Sequence, residues 1–323
     1  MKNLLPIFVQ VILPLALVWL AGFLGRRLLH LDPRPFSRAG LYLLTPAVIF
    51  TTLMEAEITL QESGRILLLV LLLAGLLILL SRLQLYFLRL SPGEGSALTL
   101  SAVFINSVNY GFPATLLALG PAGLERAAVF AVGHAFLVNT IGAYIAARGR
   151  AGSLRETLSQ VARIPMFYAV ALAVLLRLAG VSFSGTFALW GLEIPLLPSL
   201  YQAVKLLSQA AIPVFMLVLG MQLGVEDADP LPRRLYLPLF LAGLTRLVLS
   251  PLLAWGLALL LGLSGIAAQA AILEAAMPSA VITVILATEF DTQPRLVSQV
   301  VVWTTLFSMV TLTLLLGLLK VES

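Results

Sequence analysis

Polar side chains and a proline crowd together in Asn106-Ser107-Val108-Asn109-Tyr110-Gly111-Phe112-Pro113, inside an otherwise apolar stretch. Glu274-Ala275-Ala276-Met277-Pro278-Ser279-Ala280 forms a second such cluster in the other half of the chain. Proline removes an N–H and clashes with the preceding turn, so Pro113 and Pro278 are each expected to interrupt a helix near its middle. Half-helix N-termini left at such breaks direct a partial positive charge into the gap, which suits an anion. An Asn amide offers two donors and an acceptor. Asn106 and Asn109 therefore either replace lost backbone partners or bind a carboxylate. Gly111 permits close backbone approach, Ser279 is positioned to cap the second break, and Tyr110 completes the candidate substrate-binding set.

Charged and titratable residues in the apolar stretches form a second group. Glu274 lies four residues before Pro278, and a carboxylate in the bilayer costs ~2.5–3.5 kcal/mol on insertion scales unless protonated, paired or hydrated. It is a candidate proton carrier, a lining group of a cation path, or the structural partner of Arg246. Arg246 either pairs within the bundle or binds a substrate carboxylate. His134 either shuttles protons or hydrogen-bonds a neighbouring helix. Lys205, near Gln202, is read as snorkelling to the outer interface. Asn139, Thr140, Thr304, Thr305 and Ser308 have the helix–helix contact as their default role. Neither His30 nor His134 has partners at metal-ligand spacing, and Glu226, Asp227 and Asp229 are read as a solvated turn. No metal or cofactor is expected, while coupling to Na+ or H+ stays open. There is no phosphate loop and no nucleophilic-hydrolase pattern, so an enzyme is not expected.

Long apolar elements must hold these groups. The 323 residues are 60% hydrophobic and 11% charged, with a mean hydropathy of +1.03. A soluble domain is ~45–50% apolar and ~25% charged, so the chain is read as a multi-pass membrane protein facing lipid. Its net charge of +5 is read as loop Lys and Arg, not as nucleic-acid binding. With no cysteine, disulfide and thiolate chemistry are excluded. Ten spans are expected, at 4–25, 37–54, 65–88, 96–118, 124–147, 164–180, 196–223, 235–262, 266–288 and 296–319. The first is read as a span and not as a cleaved leader, because its length is transmembrane and Arg26 and Arg27 close it. The stretch 181–200, with Trp190, Pro195 and Pro198, is expected to be an interfacial loop. With the N-terminus outside, thirteen basic residues fall on inward loops against five on outward segments. Both termini are thus expected outside the cytoplasm, in the cell (inner) membrane.

The two halves share a pattern. Pro46 and Pro213 differ by 167 positions, and Pro113 and Pro278 by 165. Two five-span units at nearly one offset imply that the second is inverted in the membrane, with its site at the midplane. The units are 1–150 and 164–323, joined by a cytoplasmic linker at 151–163.

At these residues the chain resembles the auxin efflux carrier family, bacterial type. Asn106 to Pro113 fits an Asn-x4-Gly-x-Pro crossover signature, and Met277-Pro278-Ser279-Ala280 with Leu286 to Asp291 fits the second crossover. Leu44-Thr45-Pro46-Ala47 and Ala211-Ile212-Pro213 with Leu219-Gly220 fit proline-bearing second and seventh spans. The resemblance implies an all-α integral membrane fold similar to that of bile-acid sodium symporters, with helices 4 and 9 broken and crossing. It also implies a scaffold of helices 1, 2, 6 and 7, a transport domain of helices 3–5 and 8–10, and a homodimer through the scaffold. Pro46, Pro213 and Asn139 would support the site from behind.

The expected function is secondary transport of a small organic anion, a dicarboxylate or auxin-like acid, by alternating access of elevator type. An anion channel, or a proton- or sodium-coupled symporter of bile-acid-like substrates, is the alternative. Substrate, coupling ion and direction of transport are not legible in the residues.

Overall fold

The computed structural model describes residues 4–147, 162–181, 183, 187–189, 192–194, 196–224 and 231–319. Most of the 151–163 linker lies outside these residues, as do Trp190, Pro195, the Glu226, Asp227 and Asp229 turn, and Lys2, Arg148, Arg150, Arg155 and Lys320. The order is α1 (Leu4–Leu29), α2 (Pro33–Glu55), α3 (Leu60–Leu88), α4 (Pro92–Val103), α5 (Ser107–Ala146), α6 (Pro165–Leu178), α7 (Leu196–Leu223), α8 (Arg233–Leu260), α9 (Gly265–Ala275), α10 (Ile282–Glu289) and α11 (Pro294–Leu318). Between α6 and α7 runs a small antiparallel ribbon of β1 (Phe187–Leu189) and β2 (Leu192–Ile194), with Phe187 opposite Ile194. The ribbon lies in the connection between two helices and leaves the fold all-helical, while Pro198, expected in that loop, falls inside α7.

Among the described residues, seven helices are long and apolar enough to cross a membrane, against the ten spans expected. Three features account for the difference. The expected fourth span is divided between α4 and α5, and α5 joins its second part to the expected fifth span in 40 residues, which at 1.5 Å per residue would reach ~60 Å, twice a hydrocarbon core of ~30 Å. Its axis cannot be one rod, because Gly120 has φ 67° and ψ −167°. That backbone is open to glycine and strained for other residues, and Pro121 follows to start the next helix. α6 has only 14 residues. The expected ninth span is cut into α9 and α10.

Prolines act differently from expectation. Pro14, Pro46, Pro113 and Pro251 each lie two residues beyond a π-helical turn: Phe8–Ile12, Gly40–Leu44, Ser107–Gly111 and Thr245–Leu249. A wider turn relieves the clash between a proline ring and the carbonyl of the preceding turn. Pro113 therefore does not break its helix; the break is at 104–106. Pro213 sits within α7, which has no such turn, and Pro278 lies in the break itself. The paired prolines thus have unlike local structures, and their common offset does not carry the duplication argument.

α1 and α7 pack with their backbones in contact. A Cβ on Gly22 would meet the Leu217 carbonyl, and one on Gly220 the Trp19 carbonyl. Small residues allow such close approach where lipid supplies no hydrophobic drive. α6 lies against the second half of α2. The core holds Ile12, Leu15, Trp19, Phe104, Tyr110 and Phe130, with the Trp19 and Tyr110 rings edge-on at 4.5 Å. Leu67, Leu68, Leu71, Leu79, Leu172 and Leu175 are exposed, a surface suited to hydrocarbon rather than water.

Candidate functional site

α4 begins at a capping box, where Ser91 and Glu94 exchange side-chain and backbone bonds. It ends at Val103, and Phe104 is extended, with φ −98° and ψ 128°. Backbone freed at that depth must find partners inside the protein, and it finds them in the other break. Ile105 and Ser279 form an antiparallel bridge. The Asn106 N–H donates to the Pro278 carbonyl at 2.9 Å, and the Ala280 N–H to the Phe104 carbonyl at 2.9 Å. His134 accepts from the Ile105 N–H at 3.0 Å through Nε2. Ser279 donates through Oγ to the Ser101 carbonyl at 2.6 Å, and its N–H donates to Thr304 Oγ1 at 3.1 Å.

The helix ends on either side of this bridge meet opposite surroundings. The C-terminal carbonyls of α4 and α9 converge on Arg246, which is fully buried. Its Nη1 donates to Ala102 at 3.1 Å and Val103 at 2.9 Å, and Nη2 to Ala275 at 2.5 Å and to Ser250 Oγ. Ser250 itself donates to the Ala275 carbonyl at 2.7 Å. Glu274, also fully buried, is not its partner. Glu274 instead accepts from Ser107 Oγ at 2.5 Å and Thr115 Oγ1 at 3.3 Å. The expected Glu274–Arg246 pair is therefore corrected: each charge turns to a different side of the bridge. Gly111 is what lets the carboxylate in, since a Cβ there would lie 2.5 Å from both of its oxygens.

The N-terminal ends of α5 and α10 instead border a cavity of about 250 Å³. One wall comes from α2, α6 and α7, including Thr45, Met166, Phe215 and Gln222. The other comes from the first break, the middle of α5 and the start of α10, including Asn106, Ser107, Asn109, His134, Asn139 and Ile282. No Lys or Arg side chain is among the lining residues. Asn106 is 5% exposed, and its Nδ2 has no hydrogen-bond partner. Buried amide donors are rarely left so, because the unmet bond costs ~1–3 kcal/mol. The Oε1 atom of Gln222 is likewise buried and unpartnered.

Of the sequence candidates, the structure brings Asn106, Asn109, His134 and Asn139 to the cavity wall. Asn139 Nδ2 donates to the Ala135 carbonyl at 2.8 Å within its own helix. Tyr110, Gly111, Pro113, Pro278 and Ser279 are not on that wall. Tyr110 is sealed in the core with its hydroxyl accepting from Ser308 at 2.9 Å. Pro46 and Pro213 lie within α2 and α7, off the cavity lining. Lys205 pairs with Glu55 at 2.7 Å instead of only snorkelling. Ser107, Thr115 and Gln222 were not singled out from the sequence. Ser250 had a local signal, standing one helical turn after Arg246.

A second cavity, of about 270 Å³, lies near the start of α3 and the start of α9, beside Glu62, Arg65, Arg126 and Gly262, and shares no lining residue with the first. In chain order, the buried Tyr110, Phe112 and Thr115 of α5 and Glu274 of α9 come between the stretches that line the two cavities.

Comparison with known proteins agrees with a transporter. The chain is 28% identical over 302 residues to an uncharacterized transporter of Methanothermobacter thermautotrophicus, covering 91% of this chain and 90% of that one. An uncharacterized transporter of Methanocaldococcus jannaschii is 25% identical over 233 residues, covering 71% and 70%. The family model described as membrane transport protein matches residues 6–316. The chain therefore belongs to this membrane transport protein family, that of the auxin efflux carriers.

Proposed function

We propose that this chain is a secondary transporter of a small organic anion, held beside Asn106 and carried by alternating access of elevator type. One observation carries the reading: Asn106, whose buried amide nitrogen has no partner, lines a cavity of about 250 Å³. Two helix N-termini border the same space, so a carboxylate there gains dipole attraction and a hydrogen bond without a cationic side chain. The cavity separates α2, α6 and α7 from the broken elements, the division that rigid-body alternating access needs. In this reading the two breaks belong to two inverted five-helix units, and the protein is a homodimer through its scaffold. Arg34, Arg38 and Arg163 flank the cavity's end of the bundle, so by the positive-inside rule it faces the cytoplasm and both termini face out.

In this reading those buried residues keep the two cavities apart, which favours a carrier over a channel, since a channel needs a continuous water path. Replacing Asn106 by Ala is expected to weaken binding of the transported acid by about 10- to 100-fold, the worth of a hydrogen bond to a charged group. Uptake into proteoliposomes and thermal-shift titration with dicarboxylates and indole acids measure it, and unchanged affinity removes Asn106 from the site. Glu274 is the proton-carrying group in this reading, because Ser107 links its carboxylate to the cavity wall. Glu274→Gln should abolish the response of uptake to an imposed pH gradient. If the full response survives, Glu274 is structural.

A further inference from the structure

We propose that Arg246 is a resident cation filling an oxygen-lined site that a small monovalent cation would otherwise occupy, so that the protein works without bound sodium. The site is built from two separate stretches of chain besides the arginine's own helix. Ala102 and Val103 bring carbonyls from the end of α4, Ala275 brings one from the end of α9, and Ser250 brings a hydroxyl from α8. Carbonyl oxygens at half-helix C-termini are the ligands with which broken-helix transporters hold coupling cations.

Magnitude decides the charge. Each helix C-terminus carries about half a negative elementary charge, so two facing ends are matched by one positive charge, not two. Among the described residues, no carboxylate forms an ion pair with Arg246. The Glu274 carboxylate is committed to Ser107 and Thr115 on the other side of the bridge. A fully buried cation with no counter-ion costs several kcal/mol. The converging helix ends are what the structure offers to offset it. The guanidinium also spans both breaks with its planar fork, so it ties α4 to α9 while neutralising them. A mobile ion could neutralise the ends but could leave; a tethered one makes the charge permanent.

The test compares thermal unfolding of purified full-length protein in choline, sodium and guanidinium chloride, for wild type, R246A and R246K. Wild type should unfold at the same temperature in sodium and choline, and its organic-anion uptake should not change when sodium replaces choline. R246A should unfold at a lower Tm in choline. Sodium or guanidinium at low millimolar concentration should raise that Tm saturably, as expected for a ligand that binds only the folded state. Rescue by guanidinium with sodium inert overturns the proposal, since hydrogen bonds and not charge would then be what Arg246 supplies. A saturable sodium effect on the wild-type Tm also overturns it, as does an R246A protein indifferent to every cation. If R246A cannot be recovered, R246K decides. A near-wild-type Tm insensitive to sodium supports the resident charge, and no recovery of R246K overturns it. The uptake arm rests on the transporter reading, but the unfolding arm contains no substrate, so failure of one is distinguishable from failure of the other.

Discussion

The two sides of the paired breaks make opposite use of the same backbone chemistry. On one side, the carbonyl ends of α4 and α9 are closed over Arg246 and Ser250. On the other, the amide ends of α5 and α10 border a cavity, and the Asn106 amide nitrogen is left over. The sealed side neutralises its dipoles from within the chain, whereas the open side turns them to the cavity. Buried polar groups hold a fold rigid when fully satisfied and cost stability when not. The contrast lies in the helix dipoles and not in full satisfaction of every donor, since Arg246 Nε is buried without a partner on the sealed side as Asn106 Nδ2 is on the open one.

Three substitutions, the first also combined with Glu274→Ala, set that contrast against stability. The largest effect is expected at Gly111→Ala, whose new methyl would stand 2.5 Å from both Glu274 oxygens in a buried layer. Overpacking of this kind costs about 1–3 kcal/mol or more, read as a lower Tm. Adding Glu274→Ala should return part of the loss, so that the double variant is less damaged than the sum. Additive losses would mean that the carboxylate is not what Gly111 accommodates. Ser279→Ala comes next. It removes the bond to the Ser101 carbonyl at 2.6 Å and should cost about 1–3 kcal/mol while leaving ligand affinity nearly unchanged. An affinity loss as large as that of Asn106→Ala would erase the distinction between sealed and open sides. The smallest stability change belongs to Asn106→Ala, below about 1 kcal/mol in either direction, because no hydrogen bond to Nδ2 is lost. A large drop in Tm for that variant would show that Asn106 holds the break together and is not waiting for an anion.

Much of this was legible in the residues, and particular positions show where legibility stops. The limits 196–223 reappear as Leu196–Leu223, since an apolar run ended by turn residues fixes a helix locally. The polar cluster from Asn106 also marked the first break, although Pro113 itself is absorbed by the π-helical turn at Ser107–Gly111. Proline spacing reports strain on the preceding turn, and whether a helix breaks or widens to relieve it depends on what packs against that turn. Tyr110 and Ser279 read as well for a substrate site as Asn106 does. They prove to be occupied, by Ser308 and by Ser101 and Thr304, partners far away in the chain. Gln222 had no distinguishing sequence signal, as one amide in an apolar span, until the docking of α7 turned it to the cavity.

Sequence alone determined that the chain lives in a membrane and fixed the limits of helices such as α7, because hydropathy and turn residues act on near neighbours. Only the tertiary structure decided which polar groups are spent and which are free. Glu274 and Ser107 are 167 positions apart, and Ser279 and Ser101 are 178 apart. Such pairings exist only once the two breaks dock, since a hydrogen bond is settled by a distance of about 3 Å that no spacing along the chain encodes.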